Sequence, residues 1–110
     1  MVRQSRSVIT SRNYEYHLGE VLEYGIEIFG YIQARKYFNA ISYLVERLEY
    51  DYNYHPECRH LATKSRMYRN IILDAHLIIY RITSERIEVL DIIHSASSVS
   101  KIRNTRKIRL

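Results

Sequence analysis

The chain has 110 residues, a formal net charge of +5, 46% hydrophobic residues and one cysteine. That apolar fraction excludes a disordered tail, and the length excludes a multidomain enzyme, so residues 1–110 are expected to form one domain. Lone Cys58 excludes an internal disulfide, no apolar run approaches the roughly 20 residues of a membrane span, and MVRQSRSVIT lacks a signal's apolar stretch, so a soluble, cytoplasmic protein is expected.

In chain order, Val2 to Thr10 alternates loosely and predicts a short strand. Ser11 is a suitable N-cap, and Tyr14, Leu18, Val21, Leu22, Gly25, Ile26 and Phe29 recur at helical spacing. Glu20, Glu23 and Glu27 fall off that stripe, as a solvated face does. Gly30 is the predicted stop. A second stripe follows at once through Ala34, Tyr37, Phe38, Ile41, Leu44, Val45, Leu48 and Tyr52, so the two helices should form a hairpin. Residues 53–60, with Pro56, predict a loop. Three β-like runs then span Ser65–Leu73, His76–Thr83 and Ile87–His94, separated by short turns that imply an antiparallel meander. Ser98 is placed to cap a last basic helix over Val99, Ile102 and Arg103. The expected fold is α+β: an N-terminal strand, a two-helix hairpin on one face of an antiparallel sheet of three to four strands, and a short basic C-terminal helix or tail. The sheet's second face is expected to be partly bare and to carry function.

Charge is unevenly spread. Residues 14–57 hold three basic and eight acidic side chains, whereas residues 95–110 hold five basic ones and no acid. Basic ends around an acidic middle predict a face that attracts anions.

Three segments also carry a family resemblance: Tyr68-Arg69-Asn70-Ile71-Ile72-Leu73, then His76-Leu-Ile-Ile-Tyr80-Arg81-Ile82, then Ile87-Glu-Val-Leu-Asp-Ile-Ile-His94. With the Phe29-Gly30 step and Ala34-x-x-Tyr37-Phe38 opening the second helix, this ordered set resembles the RelE/ParE toxin superfamily from about Val8 to Arg103. The resemblance implies the toxin of a type II toxin–antitoxin pair, with roles in growth inhibition and plasmid stabilization, neutralised by a cognate antitoxin. Within the family, RelE-like members cleave messenger RNA on the ribosome, and ParE-like members poison DNA gyrase without being nucleases.

For metal-independent RNA cleavage the resemblance points to Arg66, Arg69, His76, His94 and Lys101 as catalytic candidates, since the reaction needs an acid, a base and cations on the phosphate. His76 stands where RelE-like toxins usually carry arginine. After His94 the chain reads Ser95-Ala-Ser-Ser98, where much of the family places an arginine on which the nuclease depends. That departure favours the ParE-like, non-enzymatic reading. RelE-like cleavage and a non-toxic basic nucleic-acid-binding module are the alternatives. Arg66, Arg69, Arg81, Lys101, Arg103, Arg106 and Lys107 are the candidate contacts to antitoxin or target. His94 reads more readily as a strand-end residue bonded to backbone, and Tyr80 as sheet packing. Arg69 reads equally as an anion ligand or as a structural partner of Asp91. His55, Cys58 and His60 lack a fourth ligand, so neither a metal nor a cofactor is expected. A second copy of the chain is a further partner left open.

Overall fold

The computed structural model describes residues 4–110, so the expected start of the first strand at Val2 lies outside the described residues. Strand β1 spans Ser7–Thr10, helix α1 Arg12–Phe29 and helix α2 Tyr31–Asp51. Strands β2 (Tyr68–Ile72), β3 (His76–Ile82) and β4 (Arg86–His94) follow, then helix α3 (Val99–Asn104) and a 3-10 turn at Thr105–Lys107.

Ser11 caps α1 as its position predicts: its side chain accepts the Tyr14 N–H at 2.9 Å, satisfying a donor the helix cannot. Its hydroxyl also donates to the Leu90 carbonyl, which ties the start of α1 to β4. Gly30 ends α1 and starts α2 at φ 86°, a conformation open to glycine and strained for a side chain. The two helices can close this tightly because a Cβ on Gly25 would sit only 3.2 Å from the Ala34 Cβ.

The three C-terminal strands form the predicted antiparallel meander, and the sheet order is β1-β4-β3-β2. β1 pairs with β4 in parallel, Ser7 opposite Arg86 and Thr10 opposite Val89, so the four-stranded sheet is mixed. The helical hairpin carries the chain from β1 to β2 at the far edge of the sheet, and the meander then steps back through β3 to bring β4 in beside β1 in the same direction. A bulge on β4 shifts the register between Ile79, opposite Asp91, and Tyr80, opposite Val89.

The hairpin buries its stripe against one sheet face: Tyr14, Leu18, Ile41, Val45 and Leu48 pack with Ile71, Ile78, Tyr80, Ile87, Val89 and Ile92. The expectation of a bare second face is corrected. Ile79, Leu90 and Ile93 on that face are at most 3% exposed, beneath Cys58, Leu61 and Ile102, with Tyr68, Leu77 and Ile108 alongside. The reason lies in the strands themselves. β3 and β4 are apolar at both parities, and such strands must be covered on both sides. The loop after α2 and the C-terminal segment, each too short for a clear periodic signal, provide the second cover.

Candidate functional site

The predicted residues fall into three separate places. At one end of the sheet, His76 opens β3 directly opposite His94, which closes β4. The two imidazole centroids are 5.9 Å apart. Tyr37 on α2 reaches the same spot, its hydroxyl 2.8 Å from His76 Nδ1. These three side chains line a cleft of about 510 Å3 together with Val21, Tyr24 and Phe29 of α1. Burial, and then the neighbouring His94, hold His76 below the ordinary imidazole value. Burial raises the Tyr37 phenol, and Asp74 nearby adds to that. Both keep their neutral forms near pH 7. His94 is itself exposed, and its Nδ1 accepts the Ala96 N–H at 3.0 Å, which is the strand-end role its position suggests. That bond places the neutral ring's proton on Nε2.

The arginines of the middle strands are occupied elsewhere. Arg69 donates to three carbonyls: from Nε to Arg66 at 2.8 Å, and from one terminal nitrogen to Asn53 at 3.1 Å and His55 at 2.9 Å. It is a staple for the loop between α2 and β2. Asp91 is not its partner; that carboxylate sits 2.6 Å from His17 Nδ1 on α1 and accepts the Ile92 N–H. Arg66, held at φ 56°, is exposed and lies 3.8 Å from Glu57. In the register of the sheet Arg69 stands opposite Tyr80, four residues along β3 from His76, or roughly 13 Å at strand rise. Arg81 binds Glu88 at 2.7 Å and donates to the Arg106 and Ile108 carbonyls at 3.3 and 3.2 Å. Arg86 completes the cluster 2.7 Å from Glu88. Burial raises the Glu88 carboxyl, but hydrogen bonds from Arg81 and Arg86 outweigh it and hold the group below the usual carboxylate range.

The third place is the C-terminal segment. Ser98 caps α3 by accepting the Lys101 N–H at 3.1 Å. Ile102, Thr105 and Ile108 turn inward while Lys101, Arg103, Arg106, Lys107 and Arg109 remain exposed. The segment therefore offers a cationic outer surface on a docked backbone. Lys101 and Asp91 line a small polar hollow of about 360 Å3 with Asn13, Ser98 and Asn104.

Two features escape a reading of the residues alone. Tyr37 is indistinguishable from core residues in the α2 stripe, and its tie to His76 depends on how the hairpin lies on the sheet. The His17–Asp91 pair had a faint signal, since an acid inside an apolar strand needs a partner, but nothing named which. Cys58 serves the second core, its thiol buried and its pKa raised by that burial, whereas the His55 ring meets Tyr80 of the hairpin-side core edge-on. No group among the described residues has the makings of a metal site, and no helix among them is long and apolar enough to cross a membrane.

A family model described as "ParE toxin of type II toxin-antitoxin system, parDE" matches residues 8–99. No curated protein matches the sequence. Among solved structures, a chain of the chromosomal ParDE toxin–antitoxin system from P. aeruginosa superposes with a TM-score of 0.67. The match covers 83% of this chain and 97% of that one at 17% identity, a likeness of fold.

Proposed function

Because the chain belongs to the ParE toxin family of type II toxin–antitoxin systems, we propose that it arrests growth by binding and poisoning DNA gyrase or a related replication target, and that a cognate antitoxin neutralises it. The observation that carries the non-enzymatic reading is the separation of the catalytic candidates. An RNA phosphate held at Arg69 would be roughly 13 Å of strand away from His76, and the Nε and one terminal nitrogen of Arg69 already serve three carbonyls. General acid–base chemistry needs its groups within hydrogen-bond reach of the same reacting atoms. The run Ser95-Ala-Ser-Ser98 supplies no cation beside His94.

The contact surface we assign to the antitoxin is the cationic outer side of the C-terminal segment, with Lys101, Arg103, Arg106 and Lys107 exposed on a backbone fixed by Arg81. Acidic residues of the antitoxin would be drawn to it, an attraction that salt weakens.

Inducible expression tests the reading. Growth should stop while transcripts remain full-length, and co-expression of the neighbouring antitoxin gene should restore growth. Transcripts cut within translated codons would replace this reading with ribosome-dependent cleavage. Steeply salt-dependent nucleic-acid binding without growth arrest would replace it with a plain nucleic-acid-binding module.

A further inference from the structure

The tip of the helical hairpin has a surface that the toxin reading does not use. Around Gly30, Tyr24, Ile28, Phe29, Tyr31 and Ile32 are 64%, 54%, 68%, 62% and 73% exposed. With 150–250 Å2 per aromatic side chain, the patch amounts to on the order of 600 Å2, the upper end of what a soluble monomer leaves uncovered. The helices beside it differ in charge. α1 presents Glu20, Glu23 and Glu27 to solvent, whereas α2 presents Arg35 and Lys36 just past the turn. Glu23, Glu27 and Lys36 form no ion pair among the described residues.

We propose that this tip is a self-association surface, on which two copies of the chain pack about a twofold axis with each apolar patch covering the other. With the twofold axis perpendicular to the plane of the hairpin and the two tips overlapped, one copy's α1 lies against the other's α2, and Glu23 and Glu27 of one face Arg35 and Lys36 of the other. The pattern is self-complementary. A partner of one dominant charge would instead meet like charge on one of the two helices, which is why a second copy fits the surface better than an acidic or a basic segment of another protein. The patch falls somewhat short of the roughly 800 Å2 per partner of a standard stable interface, so the dimer is expected to be a weak one.

Sedimentation equilibrium of the full chain tests this. The mass should rise from 13.2 kDa at low micromolar concentration towards twice that value at several hundred micromolar. The double variant Phe29→Glu with Ile32→Glu should remain monomeric throughout, with an unchanged far-ultraviolet spectrum because both side chains are already exposed. Two charge reversals, Glu23→Lys with Glu27→Lys and Arg35→Glu with Lys36→Glu, should each weaken self-association about tenfold. Mixing the two reversed proteins should restore it. A wild-type chain that stays at 13.2 kDa overturns the proposal, as does a dimer that survives Phe29→Glu with Ile32→Glu or a mixture that fails to recover. A monomeric wild type whose tip variants lose antitoxin binding assigns the surface to the antitoxin instead. Mass is read without reference to toxicity, so this result and that of the growth assay stand apart.

Discussion

The two faces of the sheet are buried by different means. On one, two long helices lay continuous apolar stripes across Ile78, Tyr80, Ile87 and Val89, and burial of hydrocarbon accounts for the packing. On the other, a loop and a six-residue helix cover Ile79, Leu90 and Ile93. Segments that short bury too little to order themselves. Arginines add to this: Arg81, on the second face, ties two carbonyls of the C-terminal segment to Glu88, and Arg69, on the helix-side parity of Ile71 and Tyr80, ties three carbonyls of the loop that crosses to the second face. The first face has the larger apolar cluster, and the second combines a smaller one with the charge-assisted hydrogen bonds of Arg81. The antitoxin contact proposed for the C-terminal segment would therefore rest on the less redundant half of the fold.

Substitutions on the two sides should separate these modes. Leu48→Ala, in the helix-side core at 0% exposure, should cost about 3–4 kcal/mol in chemical denaturation with the whole molecule losing stability together. Arg81→Met should cost less, about 2 kcal/mol, because Glu88 keeps Arg86. Its mark is local: amides of residues 102–108 should exchange much faster than those of β3. Arg69→Ala should cost about 1–2 kcal/mol and open residues 53–66 to protease first. Equal exchange acceleration across the whole chain in both arginine variants would erase the distinction between the faces.

The next effect is smaller and depends on pH. Burial and then His94 lower the His76 pKa from 6.5, so folding favours the neutral ring. The unfolded chain takes up protons first as pH falls below about 6.5, and stability should decline from there towards the folded-state pKa. Burial lowers His55 as well, so it contributes in the same direction. His76→Gln should make the fall in stability between pH 7 and pH 5 shallower; an unchanged slope would assign it to His55 alone. Smallest of all, Arg103→Glu with Arg106→Glu should leave stability within about 0.5 kcal/mol, since both side chains are exposed. That pair should weaken antitoxin binding at low salt, measured by calorimetry, and an unaltered affinity would move the contact away from the C-terminal segment.

The contrast between the faces also explains what the residues made legible. The Ser11 cap, the Gly30 stop and the two stripes define the hairpin by local chemistry, and the turns at 74–75 and 84–85 define the meander. Each of these is settled within a few residues. The second cover was missed because Leu61, Ile102 and Ile108 are too far apart in the chain to make a period, and only the double-sided apolarity of β3 and β4 hinted that something must lie over them. Of the site, His76 and His94 were both singled out, and the register puts them face to face. Tyr37 looked like core, and the carbonyl ties of Arg69 and Arg81 have no trace in residue type, because any arginine can bind phosphate, carboxylate or backbone until the fold decides.

The proposed action is binding of a protein target, with no RNA cut. Supercoiling of relaxed plasmid by purified gyrase, titrated with the purified chain, tests it most directly. The expected result is loss of supercoiling with accumulation of cleaved plasmid, reversed by antitoxin added in equal amount. Undisturbed supercoiling at concentrations that stop growth, together with messenger RNA cut on ribosomes, would contradict it.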